Sequence, residues 1–328
     1  MNQRTFGSSG IAASEVGFGL WTVSTGWWGE HSDESAVALL REAFDLGITF
    51  YDTADTYGEG RGETLLQKAL GDVRDEITIA TKFGYDIYSP WERKGHVERP
   101  HDWSPDYIRY ALDQSLARLG TDHIDVYQLH NPRMDAIRSD DVFGVLDEAR
   151  AAGKIRAYGV ALGPAIGWRD EGIEAFTRRR PAAGQIIHNM LEQDPGRELI
   201  EAARANGVGL MIRVPHSSGM LEGRYTKDTT FAENDHRRHR PKEWLEQGLR
   251  KVERLQFLTE SRTLGQAAIQ WLLADPTVTT VLPNIYGSDQ LREFAAAPAT
   301  PGLSADELER VADLYEHGFY VEPAATGA

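Results

Sequence analysis

The chain has 328 residues, 41% of them hydrophobic, enough to bury a large core. Thirty-five Lys and Arg against 50 Asp and Glu leave a net charge of −15, which repels nucleic acid and anionic membrane, and the lack of any cysteine excludes disulfides, thiolate chemistry and Cys-ligated metal. Met1–Gly10 shows no basic segment followed by an apolar run, and no stretch approaches the roughly 20 apolar residues that span a bilayer, so a cytoplasmic protein with neither nucleic-acid nor membrane partners is expected.

Residues Met1–Glu15 hold Gly7-Ser-Ser-Gly10 between short extended pieces, the pattern of a small hairpin. Short β-branched or apolar runs then alternate with longer amphipathic segments. The pattern predicts strands near 16–20, 48–51, 77–82, 124–129, 155–160, 184–188, 208–213 and 278–282. Helices are expected over Asp33–Leu46, capped by Ser32 and ended by Gly47, and over Ser104–Leu119, with Pro105 at the first position and Gly120 after the last. Others are expected over Asp140–Ala152, Gly196–Asn206, Leu264–Ala274 and Ser288–Ala296.

Eight strand-then-helix units with no Gly-, Ser- or Pro-rich linker predict an α/β fold. It is a (β/α)8 TIM barrel forming one domain over 1–328, with the hairpin plugging its floor. An open doubly wound sheet is the competitor. Its glycine-rich turn is approached by Gly58-Glu-Gly-Arg-Gly62, but Glu63 stands where the last glycine belongs. Two long connections, Phe83–Trp103 and Pro215–Arg262, each follow a strand's C-terminal end, where barrels build their sites. In the second, Asp235-His-Arg-Arg-His-Arg240 reads as a solvated charged segment, with phosphate binding as the alternative. Pro323–Ala328 reads as a loose tail.

Asp52, Tyr57, Lys82 and His130 fall at or just beyond the ends of three successive predicted strands, which brings them to one mouth. Singly, each has a structural reading: a helix cap, a core ring, a snorkelling amine, a buried donor. Jointly they suit carbonyl reduction, which needs a proton donor at the carbonyl oxygen and a positive field where alkoxide charge develops. A phenol, of unperturbed pKa about 10, is a weak acid that a neighbouring ammonium favours as phenolate. Lys82 is the ammonium expected beside Tyr57, with Asp52 holding it charged. His130 either orients the carbonyl or relays the proton.

Phe50-Tyr-Asp-Thr-Ala54 with Tyr57-Gly58, Ala80-Thr-Lys-Phe-Gly84 and Asp125-Val-Tyr-Gln-Leu-His-Asn-Pro132 together resemble the aldo-keto reductase family, and the resemblance runs through nearly the whole chain. It implies that Asp52, Tyr57, Lys82 and His130 form a catalytic tetrad. It also implies that a nicotinamide cofactor lies extended across the mouth without a Rossmann fold. Gln185 matches the glutamine that bonds the nicotinamide amide, whereas Ala161-Leu162 stand where relatives often carry Ser-Asn. Arg213 takes the place of an aromatic ring that stacks on the nicotinamide, and a guanidinium plane can do the same.

Pro215, Gly219 and Leu221 fall in the loop expected over the pyrophosphate. Asn284, Gln290 and Glu293 fall in the loop and helix start expected to hold the adenosine phosphate. The places from 284 to 287, where relatives often carry Lys or Arg for a 2′-phosphate, are Asn-Ile-Tyr-Gly. NADPH is therefore expected from family habit, with NADH as the rival. Trp21, Trp27, Trp28, Phe83 and Trp91 are the expected aromatic wall for a small carbonyl substrate, apolar or sugar-derived, with core packing the competing account for Trp21 and Phe83. Two alternatives stand beside the reductase. One is a nucleotide-holding regulatory subunit of the same fold; the other is a metal-dependent barrel isomerase, for which no H-E-x-x-H cluster speaks.

Overall fold

The computed structural model describes residues 1–92, 97–163, 168–233 and 235–322, excepting the side chains of residues 236 and 239. The expected tail at 323–328 lies outside the described residues. Strand β1 (Gln3–Thr5) pairs antiparallel with β2 (Ala12–Ser14). Eight parallel strands follow: β3 (Phe18–Gly19), β4 (Phe50–Asp52), β5 (Thr78–Phe83), β6 (Ile124–His130), β7 (Ile155–Ala161), β8 (Ala183–Ile187), β9 (Gly209–Arg213) and β10 (Val278–Leu282), hydrogen-bonded in that order.

The ring closes beside β3, where Gly17 N donates to Val281 O and Val281 N to Glu15 O, each at 2.9 Å. Closure excludes the open sheet. It needs a glycine, because a Cβ at Gly17 would lie 2.7 Å from Phe50 Cδ1 and 2.9 Å from Leu282 Cδ2.

Side chains alternate along each strand. Phe50, Ala80, Val126, Ala183 and Met211 form an apolar layer in the lower barrel, closed from below by Phe6, Ile11 and Ala13 of the hairpin region. One step further along their strands, Asp52, Lys82, Gln128, Gln185 and Arg213 point the same way at the upper end. The apolar floor and the polar mouth are thus consecutive rungs of one period-two pattern.

Helices cover the outside. Ser32 accepts from Ser35 N to start Asp33–Asp45, and Ser104 accepts from Tyr107 N to start Pro105–Leu119, which ends at Gly120 with φ 63°. Asp140–Ala151, Gly196–Asn206, Leu264–Leu273 and Ser288–Ala295 follow the expected positions. Arg61–Leu70, Lys242–Arg254 and Ala305–Glu316 go beyond them. The first two start without a side-chain cap, at Gly60 and Pro241, and so carry no start signal; the third does have a capping box, Ser304 with Glu307. Met220, Leu245, Leu255 and Leu258 belong to a separate apolar cluster under the connection after β9. Among the described residues no helix is long and apolar enough to cross a membrane.

Candidate active site

The expected tetrad meets at the mouth. Lys82 Nζ lies 2.6 Å from Asp52 Oδ2, 2.8 Å from the Thr53 carbonyl and 3.2 Å from the Tyr57 hydroxyl. An ammonium has three hydrogens, and these three acceptors use them all. Since the third is donated to the Tyr57 oxygen, the phenolic proton must point elsewhere, and Tyr57 lines the open cleft. His130 completes the group, its ring edge-on to Tyr57 with centroids 5.9 Å apart.

A further shell fixes Asp52, and one member was missing from the candidate residues. Gln128 Nε2 and Gln185 Nε2 donate to Asp52 Oδ1 at 3.0 and 2.9 Å. Gln128 was legible in sequence, two residues before His130 and therefore on the same face of β6. Gly159 makes its room: a Cβ there would sit 3.0 Å from Gln128 Cγ and 3.1 Å from the Ala183 carbonyl.

The electrostatics follow from burial and charge. Burial pulls the Lys82 ammonium down, but Asp52 and Tyr57 more than offset it, so its pKa is raised above the ordinary lysine value. Desolvation, then the positive charges of Lys82 and Arg213, hold His130 well below the usual imidazole range. His130 is therefore neutral at neutral pH. Its Nδ1 faces Thr56 Oγ1 at 3.4 Å, which leaves Nε2 for the cleft.

Asp55, inside the same motif, is fully buried, and neither of its carboxylate oxygens has a partner among the described residues. Burial, reinforced by Glu63, pushes its carboxyl well above the usual range. The folded state then holds a proton that the unfolded chain releases. Stability accordingly falls as pH rises from the unfolded carboxyl value through the folded one. Asp55→Asn is expected to raise stability at neutral pH by on the order of 1 kcal/mol and to flatten that slope, read from thermal unfolding at several pH values. A lower Tm at neutral pH would count against it.

The mouth opens into a cleft of about 790 Å³ that runs past Gln185 and Arg213 to Ser218, Arg240, Pro283 and Asn284. Trp21, Trp27 and Trp91 line it. Trp28 lines it too, but under the Arg237 guanidinium at 4.1 Å and 5.7 Å from the Tyr286 ring, towards the Asn284 end. Phe83 is a correction. It is fully buried and stacked 4.3 Å from Tyr127, because its neighbour Lys82 points inward and strand alternation sends Phe83 outward into the core.

The loop after β9 is bent sharply: Val214, Ser217, Ser218 and Gly219 all have positive φ, at 56°, 47°, 57° and 92°. That is a strained state for a β-branched valine. A Cβ on Gly219 would also lie 2.3 Å from the Tyr225 hydroxyl. Pro215 is buried within this loop. The Leu221 side chain is a second correction, since it is wholly buried in the apolar cluster below, where a nucleotide cannot touch it. Gln290 is buried and donates to Glu222 Oε2 at 2.9 Å, and Glu293 pairs with Arg224 at 2.7 Å.

The Asp235–Arg240 segment is a third correction. Asp235 and Arg237 are buried and doubly bonded, at 2.6 and 2.9 Å, because Arg237 packs between the Trp28 and Phe231 rings, whereas Arg238 and Arg240 are exposed as expected. Arg240 lines the cleft, 3.3 Å from Ser218 Oγ, with no carboxylate partner among the described residues. Long cleft, bent loop, unpaired Arg240 and mouth-facing Gln185 together fit an extended dinucleotide. Among the described residues, no three His, Cys, Asp or Glu side chains cluster as metal ligands.

A model of the "Aldo/keto reductase family" matches residues 15–316. The "Aldo-keto reductase yakc [NADP(+)]" of Schizosaccharomyces pombe is 32% identical, over 88% of this chain and 84% of that one. The "L-glyceraldehyde 3-phosphate reductase" of Escherichia coli (strain K12) is 29% identical over 95% and 91%. The "NADH-specific methylglyoxal reductase" of the same strain is 27% identical over 90% and 93%. The solved glycerol dehydrogenase of Gluconobacter oxydans superposes with a TM-score of 0.81, at 26% identity over 99% of this chain and 98% of that one.

Proposed function

The chain belongs to the aldo/keto reductase family, and from that premise we propose that it is an NAD(P)H-dependent oxidoreductase that reduces aldehydes or ketones to alcohols with Tyr57 as the proton donor. The observation that carries this reading is the committed ammonium of Lys82, whose contact with the Tyr57 oxygen turns the phenolic proton towards the cleft. The bound nucleotide supplies the hydride. Tyr57 donates its proton to the carbonyl oxygen, and Lys82 stabilises the phenolate left behind. Asp52, gripped by Gln128 and Gln185, keeps Lys82 charged and in place. His130, held neutral, orients the carbonyl by hydrogen bonding rather than acting as a cationic acid. A complete, connected tetrad favours turnover over a merely nucleotide-holding subunit.

The relatives named for L-glyceraldehyde 3-phosphate and methylglyoxal support a short aldehyde as substrate. Trp21, Trp27 and Trp91 would exclude water around it. Gln185, Arg213, Asn284 and the backbone from Pro215 to Gly219 would hold the nucleotide, with Gln290 and Glu293 shaping its adenosine end. Family habit favours NADPH. Of the cations towards the adenosine end, Arg224, Arg237 and Arg292 are already paired with Glu293, Asp235 and Glu42, which argues for NADH, and Arg240 is the one left without a carboxylate partner among the described residues. Nearby Glu222 is buried, and burial pushes its carboxyl up to about 7.

NADH is accordingly expected to bind at least as tightly as NADPH in calorimetric titration, and to support reduction of some member of a short-aldehyde panel. Tight binding of both nucleotides without turnover on any carbonyl would favour the regulatory alternative. A clear NADPH preference would refute the charge argument alone.

A further inference from the structure

Resting on that nicotinamide reading, we propose that the uncompensated charge of Arg213 makes this site bind the reduced nucleotide more tightly than the oxidised one. The charges of the mouth can be paired off. Lys82 and Asp52 cancel at 2.6 Å, and His130 is neutral. Arg213 is half-buried, donates to the Leu162 carbonyl at 3.0 Å and has no carboxylate partner among the described residues. Burial acts most strongly on it and against its charge, and Tyr57, the already paired Asp52 and Tyr85 act in its favour. Glu192, also on the cleft, keeps its own charge, bonded among the described residues only to the neutral Asn189 and Ser217, and is not among the groups acting on Arg213. Arg213 therefore carries a positive charge that no carboxylate pairs with among the described residues, where solvent screens it incompletely.

The ring that gives the hydride must face a carbon whose oxygen lies against Tyr57. Tyr57 and His130 occupy one side of the mouth, so the ring falls on the other, where Gln185, Arg213 and Leu282 end β8, β9 and β10. Reduction moves a hydride to the carbonyl carbon and the Tyr57 proton to its oxygen, and the neutral reduced ring becomes a cation. A guanidinium can stack on either form, whereas charge repulsion acts on the oxidised form alone. The rest of the nucleotide is identical in both, so the difference comes from the ring. We expect the oxidised form to bind at least about tenfold more weakly, given the few-ångström separation. Each tenfold raises the potential of the bound couple by about 30 mV, poising the site towards accepting hydride from an alcohol.

The test is titration of NADH, NAD⁺, NADPH and NADP⁺ against the full chain by calorimetry, with Arg213→Gln, Arg213→Tyr and Arg213→Lys beside the parent. Thermal unfolding serves as the check on folding. The parent is expected to show a ratio of oxidised to reduced Kd of about tenfold or more. Arg213→Gln and Arg213→Tyr should shrink it at least about threefold, chiefly by tightening the oxidised form, while Arg213→Lys preserves it. Equal binding of the two forms by the parent overturns the proposal, as does a ratio unchanged in Arg213→Gln or both forms weakened alike. If no nucleotide binds the parent, the nicotinamide reading itself fails, which is a separate result.

Discussion

Tyr57→Phe is expected to lower the rate of carbonyl reduction by about 10²–10⁴-fold, the range a positioned acid contributes, with nucleotide affinity left close to that of the parent. The substitution removes one oxygen. That oxygen accepts from Lys82 at 3.2 Å and carries the proton turned towards the cleft, whereas the ring, edge-on to His130, still fills its place. The loss should fall on kcat, because Gln185, Arg213 and the loop after β9 are untouched. Steady-state kinetics on a short aldehyde, paired with nucleotide titration, separates the two effects. A variant that reduces carbonyls at the parent rate removes Tyr57 from the acid's role.

Lys82→Met is expected to do two kinds of damage. Without the ammonium, the Asp52 carboxylate stays buried against the amides of Gln128 and Gln185 with no cation. Breaking a buried pair in this way costs about 3–5 kcal/mol. Reduction should also fall by at least about 10²-fold, since the phenolate of Tyr57 loses its stabilising charge. The double variant Asp52→Asn with Lys82→Met removes both charges and is expected to recover most of the stability but none of the rate.

The pH dependence has a definite sign. With its folded pKa raised, Lys82 contributes stability fully below the ordinary lysine value. That contribution is lost as pH rises through the higher folded value, in the strongly alkaline range. Unfolding midpoints of the single and double variants that prove identical would mean the pair carries no such energy.

Much of this was legible along the chain. Strand runs, Ser32 and Ser104 as caps, and Gly120 as a stop are local signals, and local propensity placed nearly every barrel element. The tetrad was legible for the same reason: residues that end successive parallel strands must meet at one rim, whatever the packing details. Gln128 could have been added by strand alternation from His130. Arg61–Leu70 could not, since it begins at a left-handed glycine with no capping side chain.

What the sequence determined by itself was therefore the barrel and the four groups at its mouth, because both follow from short-range periodicity. The tertiary structure alone decided which way each remaining group is spent. It turned Phe83 into the core, drew Trp28 and Arg237 together across loops from opposite ends of the chain, and tied Gln185 to Asp52 across 133 residues. It paired Arg224, Arg237 and Arg292 with acids while leaving Arg213 and Arg240 without one among the described residues. Charge compensation and burial depend on neighbours distant in sequence, and no local pattern encodes which neighbours those are.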